Sequence, residues 1–144
     1  MKLTLHHLNV CTHDVPALDS FYQDVLCQGD VPEMLALPTL DDDALRVPVA
    51  FRSDGRVQFH LAEVDQDLAL RHGKAINPLE RGHIAFRTDD IEAFKAHLTE
   101  RGVPFVDYGT TFTKHWSQVF FHDPAGTIIE VHQVLDQSGD PVEP

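Results

Sequence analysis

Two stretches of the chain carry the same alternation of apolar and polar positions, followed by the same change of period. Over residues 3–11 (LTLHHLNVC) β-forming residues alternate with period two. This predicts a strand with Leu5, His7, Asn9 and Cys11 on one face and His6, Leu8 and Val10 on the other. Asp14 then stands as an N-cap, Pro16 falls in the first turn, and Leu18, Phe21, Tyr22, Val25 and Leu26 recur at helical spacing. The order returns after Gly82. Residues 83–87 read as a strand and Asp90 as a cap, Ile91, Phe94 and Leu98 as a buried helical stripe, and Gly102 before Pro104 as its stop. Laid with His7 over His83, the phrases HLNVCTHDVPAL and HIAFRTDDIEAF share the histidine, Thr12/Thr88, Asp14/Asp90 and Ala17/Ala93. Self-similarity about half a chain apart predicts a duplicated unit.

After each helix the period returns to that of strands. In the first half these are residues 46–52 and 57–64, joined by the turn SDG at 53–55. In the second they are 103–108, 117–122 and 127–134, with the turn DPAG at 123–126. Each half is β-α-β-β-β or nearly so, over about 3–64 and 82–134, within a single domain 1–135 of α+β class. Residues 28–44 fit neither period, 65–81 read as a connector, and 136–144 as a polar tail expected to fray.

A length of 144 residues suits one domain with a substantial core. The formal charge of −12 argues against nucleic acid and anionic membrane as partners, since both select basic surfaces. Cys11 and Cys27 have no CxxC spacing, which suits a reducing compartment, and no apolar run approaches membrane-spanning length. A cytoplasmic protein is expected. Ten histidines raise the question of a metal.

The paired βαβββ units with a histidine opening each first strand, together with HLNVCTHDVPALDSFYQDVL, GHIAFRTDDIEAF and FFHDPAGTIIEV, resemble the vicinal oxygen chelate superfamily. This is the glyoxalase, bleomycin-resistance and extradiol dioxygenase family, and the resemblance spans nearly the whole chain. It implies an open mixed-sheet barrel around a metal site, with ligands on the first and last strand of each unit. Carried over by position, the first-strand ligands are His7 and His83, and the carboxylate after the DPxG turn is Glu130. In the first unit GRVQFHLAEV aligns with GTIIEVHQV if one residue is gapped, which places His60 beside Glu130 and holds Gln58, on the same strand face, in reserve. Two departures, Cys27 where a glycine commonly ends the first helix and DPAGT for DPDGN, fall in loops. A histidine at position 60 weighs against a straightforward lactoylglutathione lyase, and a glutamine is usual there in methylmalonyl-CoA epimerases.

Three imidazoles and one carboxylate suit a divalent Zn, Ni, Fe, Co or Mn ion and leave places for two neighbouring oxygens of a small substrate. The implied protein is a metal-dependent lyase, isomerase or ring-cleaving dioxygenase, whose catalytic base is either a displaced ligand, Glu130 foremost, or a metal-bound hydroxide. The alternative is a small-molecule binding or antibiotic-resistance protein of the same fold, by sequestration or thiol transfer. A two-fold homodimer is implied as well, its sites either within one chain or swapped between two. His6, His13, His72, His97 and His115 are read as ordinary histidines, and His132, on the face of Glu130, as either a residue behind the ligands or, in preference, a surface residue at the strand's end. Cys11 reads as core filler, Phe86, Phe112, Trp116 and Phe120 as core or pocket wall, and Asp41 to Asp43 as a solvated loop.

Overall fold

The computed structural model, which describes residues 1–142, lays the two units side by side. The first holds β1 (Leu3–Thr12), α1 (Val15–Asp24), a short α2 (Asp42–Leu45), β2 (Val49–Ser53) and β3 (Gln58–Glu63). A short α3 (Leu68–Arg71) lies in the connector. The second unit holds β4 (His83–Thr88), α4 (Ile91–Glu100), β5 (Phe105–Gly109), β6 (Trp116–His122) and β7 (Ile128–Val134). The second unit is a full βαβββ. The first has one strand fewer, and a single bridge between Gly29 and Ser53 stands in its place.

The coincidence of Thr and Asp in the two phrases is a shared capping device. Thr12 and Thr88 accept through Oγ1 from the amides of Asp14 and Asp90, at 3.1 and 3.2 Å. Asp14 and Asp90 accept in turn from the amides of Ala17 and Ala93, at 3.0 and 2.9 Å. The two helices differ in burial. Ile91, Phe94 and Leu98 of α4 are covered, whereas Phe21 and, just beyond α1, Val25 stay 49% and 60% exposed. The helical spacing of α1 holds, but much of its apolar stripe has no cover among the described residues.

Both units contribute to one open seven-stranded sheet in the order β2-β3-β1-β4-β7-β6-β5. Strands β1 and β4 meet antiparallel at the centre, and each runs parallel to the last strand of its own unit. The sheet curls, because Val49 of β2 and Val106 of β5, on opposite edge strands, pack against one inner cluster with Leu68, Ile76, Leu79, Phe112 and Phe120. A second cluster beneath α4 joins Phe94 and Leu98 to Val119 and Val131 and takes in Phe86, which therefore lies on the face away from the curl.

Three local expectations are corrected. Asp41 to Asp43 is no free loop: Asp41 caps α2, accepting from the amides of Asp43 and Ala44 at 3.0 and 3.1 Å. The strand expected at 46–52 begins only at Val49, because Arg46 ends α2 in the left-handed region. The tail is not frayed through residue 142, where the Val142 amide donates to Val134 O at 3.0 Å and Leu135 bridges Pro141; the rest of it lies outside the described residues. No helix among the described residues is long and apolar enough to cross a membrane.

Candidate metal centre

Sheet register sets the candidate residues in adjoining rows. Gln58, His7, Ala85 and Glu130 occupy one row across β3, β1, β4 and β7, and His60, Asn9 and His83 the next. Alternation then turns each of these toward the curl. Ala85, with only a methyl group between His7 and Glu130, leaves the middle of the row open.

His7, His83 and Glu130 are all buried and bring one donor atom each within 4.8 Å of the others. Nδ1 of His83 faces the Pro78 carbonyl at 2.9 Å. A carbonyl only accepts, so the proton stands on Nδ1 and Nε2 is the free nitrogen. That nitrogen is buried with no aligned hydrogen-bond partner, although Glu130 Oε2 is 2.9 Å away. His7 Nε2 lies 3.5 Å from the same oxygen. Metal–ligand bonds of about 2.0–2.2 Å at roughly right angles set two donors about 3 Å apart. Distances and donor types both fit a divalent ion.

His60 also faces the cavity, its ring stacked on His7 at 3.9 Å between centroids. Its Nε2 contacts Gln58 Oε1 at 2.8 Å. The Gln58 amide nitrogen donates to the carbonyls of Leu35 and Ala36, at 3.0 and 3.2 Å. The Gln58 oxygen is thus fixed toward His60, whose Nε2 donates and whose Nδ1 keeps the lone pair. Gln58 itself does not line the cavity.

Burial decides the charges. It pushes His7 down to about 4 against the pull of Glu130, and His60 well below the usual imidazole range, so both rings are neutral with a lone pair to offer. Burial alone would raise Glu130, but the imidazoles of His7 and His132 outweigh it and hold the carboxyl well below its usual range. Gln118 Nε2 donates to Oε1 of this carboxylate at 3.1 Å, and His132 Nδ1 approaches the same oxygen at 2.9 Å.

Sequence reasoning missed three neighbours of the site. A register shift between Leu5 and His7 breaks the pleat of β1, so His6 does not turn to the opposite face. Its Nδ1 lies 2.9 Å from His7 Nδ1. His132 is 0% exposed rather than at the surface, and its ring lies on Trp116 at 4.1 Å and 6°. Arg87 joins the two, donating from Nη2 to His6 Nε2 at 2.9 Å and from Nε to His132 Nε2 at 3.0 Å. Alternation from His83 through Ala85 would have found Arg87; nothing in the sequence marks the bulge. Phe112, Trp116 and Phe120 do wall the cavity, which holds about 60 Å³ and is otherwise lined mostly by apolar side chains. No lysine or arginine lines it.

Residues 4–131 match the model of the Glyoxalase/Bleomycin resistance protein/Dioxygenase superfamily. A curated relative, Glyoxylase I 4 of Arabidopsis thaliana, is 29% identical over 132 residues, which cover 89% of this chain and 69% of the relative. A hypothetical protein from Bacillus halodurans superposes with a TM-score of 0.66 at 20% identity, over 95% of this chain and 98% of its own. Methylmalonyl-CoA epimerase of Streptomyces coelicolor, in complex with 2-nitronate-propionyl-CoA, gives 0.63 at 22% identity over 91% of this chain and 97% of its own.

Proposed function

Since the chain belongs to the Glyoxalase/Bleomycin resistance protein/Dioxygenase superfamily, we propose that it is a metal-dependent isomerase or lyase acting on a compact molecule with two neighbouring oxygens. The observation that carries this reading is the convergence of His7 Nε2, His83 Nε2 and Glu130 Oε2 at the floor of a small apolar cavity. These three would hold the ion; His60 stands outside their set of mutually close donor atoms and would join as fourth ligand through Nδ1 only by a shift of its ring, which Gln58 orients from behind. When bound, the ion supplies a Lewis acid for two adjacent substrate oxygens.

The chain's own groups supply the proton transfer. Glu130 is ionised, and its Oε1 is engaged by Gln118 while Oε2 faces the cavity. Oε2 is therefore the oxygen that takes a proton from a carbon beside a carbonyl and returns it on rearrangement. The apolar walls, with Leu79, Phe112 and Phe120 among them, keep water from competing for that proton. Names of relatives agree with proton-transfer chemistry: one is a glyoxylase I and another an epimerase.

The bond between His60 Nε2 and Gln58 favours a second reading. If His60 stays with Gln58, two histidines and one carboxylate remain, the donor set of non-haem iron(II) dioxygenases. One experiment separates the readings. Protein purified without chelators is analysed for metal, then assayed with 2-oxoaldehyde–thiol adducts for isomerisation and with catechols for oxygen uptake. Tight metal binding that His83→Ala and Glu130→Ala both abolish supports a metal enzyme, and the substrate that turns over selects the class. Retention of metal by both variants refutes the site.

A further inference from the structure

The inner face of the sheet carries a second cavity. Two residues along β4 from Ala85, Arg87 turns to the same side, in one row with Thr4 of β1 and His132 of β7. Beyond that row lies a pocket of about 310 Å³, at the small end of the range for ligand pockets, about 300–1,000 Å³. It shares no lining residue with the metal cavity. Most of its wall is carbon, from Val134, Val142, Thr4 and Thr88, while Arg87 and Lys2 bring positive charge.

Arg87 is the half-buried arginine that lacks a counter-charge. Arg52 holds Asp19 and Asp30 at 2.6 Å and Arg71 holds Asp65 at 2.8 Å, whereas no carboxylate among the described residues pairs with Arg87. A cation drawn out of water is costly unless an anion pairs with it. Of the five N–H groups of the guanidinium, the one on Nε meets His132 and one on Nη2 meets His6. Both on Nη1 and the second on Nη2 make no hydrogen bond among the described residues, and Nη1 is not sealed from solvent. These free groups form the end of the fork, which can grip both oxygens of one carboxylate. Asp89, the pocket's one carboxylate, stands at the exposed rim and accepts from the Lys2 amide at 2.9 Å. We propose that this pocket is a ligand site of its own, which takes a small carboxylate with an apolar body. Arg87 binds the carboxylate, Lys2 adds attraction at the rim, and the valines cover the body. An inorganic anion would leave the apolar wall in water, and a neutral molecule would leave Arg87 unpaired. The proposal does not rest on the metal reading.

Titration of the full chain with benzoate is the test, followed by calorimetry and by the emission of Trp116, the single tryptophan, whose ring lies 5.5 Å from the Arg87 guanidinium. Benzoate should bind saturably, one per chain, and change that emission. Benzamide and sulfate, at matched ionic strength, should bind at least about tenfold more weakly, and Arg87→Met should weaken benzoate by about tenfold or more. Thr4→Phe, at an exposed strand position, fills the pocket with Arg87 intact and should abolish binding; it decides the matter should Arg87→Met not fold. Treatment with a metal chelator, followed by dialysis, should leave the benzoate affinity unchanged. Absence of saturable binding, benzamide or sulfate binding as tightly as benzoate, or full affinity in either variant would each overturn the proposal. So would an affinity lost with the metal, which would place the benzoate in the metal cavity.

Discussion

Gly82 should be the most sensitive backbone position near the site, and Gly82→Ala measures how far the site depends on the contact between the two units. Gly82 precedes His83 with φ +95°, and a Cβ built there would lie 2.2 Å from the Asn9 carbonyl oxygen and 3.2 Å from its carbon. Two costs follow. A side chain in the left-handed region is strained by about 1–2 kcal/mol. The clash is with backbone of the neighbouring strand, so no rotamer relieves it: β1 and β4 must part, and such overpacking costs about 1–3 kcal/mol or more. The sum of about 2–5 kcal/mol is a large share of the stability of one domain and lowers Tm by roughly 6–20 °C. Gly102→Ala is the control, since it has φ +67° but nothing within 4 Å of its Cβ, and it carries the strain alone. Thermal unfolding of both variants, with zinc titration of each, separates the terms. Gly82→Ala should lose both stability and zinc affinity, and Gly102→Ala only a little stability. Equal losses in the two variants would show that the approach of Gly82 to Asn9 does not set His83.

Three further outcomes are expected. If His60 is the fourth ligand and Gln58 orients it, His60→Ala should weaken zinc more than Gln58→Ala; the reverse ranking moves the ligand to Gln58. In metal-free protein, burial chiefly holds His6 and His7 neutral, at about 2 and about 4. The unfolded chain takes up those protons below about pH 6.5 while the folded chain does not, so stability present above that pH is lost as the pH falls toward 4, by on the order of 3 kcal/mol for His7 alone. Urea midpoints that stay flat between about pH 7 and about pH 5 would contradict the buried, neutral placement. Mixing His7→Ala and Glu130→Ala chains under subunit exchange should restore no tight zinc site, because one chain holds all the ligands; recovery of half-native sites would mean that they are swapped.

Legibility in the sequence followed locality. His7 and His83 could be read because each lies on a strand that leads into its own Thr–Asp cap, a device confined to a few adjacent residues. Glu130 could be read because the DPAG turn fixes its distance from the start of β7. Positions that depend on a partner strand could not be read. The alternation rule put His6 on the far face because it assumes an unbroken pleat, and only pairing with β4 creates the shift between Leu5 and His7. The place of His132 near the end of its strand points to the surface, yet β6 and Trp116 cover it. The reduced first unit was hidden for a similar reason: whether residues near Gly29 pair as a strand or only as a bridge depends on Ser53 far along the chain.

The connector decides how the two units meet. The junction of β1 with β4 could form within a chain or between chains, and residues 65–81 read from sequence alone are long enough for either. In the fold they do not behave as a hinge. The Asp65 amide donates to Leu79 O at 3.1 Å, and Asn77 clamps the same loop, donating to Asp65 O at 2.7 Å and accepting from the Leu79 amide at 2.9 Å. Tyr108 adds a bond from its hydroxyl to Ile76 O at 2.7 Å, while Leu68 and Leu79 sit in the inner core. Extending this segment toward a second chain would break those bonds and empty part of that core, a loss that loop-closure entropy, about 0.6 kcal/mol per doubling of loop length, is too small to offset. The connector also belongs to the site: Pro78 and Leu79 wall the cavity, and Pro78 O fixes the proton of His83 on Nδ1. Folding the connector and orienting His83 are therefore one event within one chain. A homodimer of the kind the family resemblance implies would then assemble through the outer surface, where α1 and the start of β1 leave Phe21, Leu3 and Leu5 exposed, without exchanging a ligand.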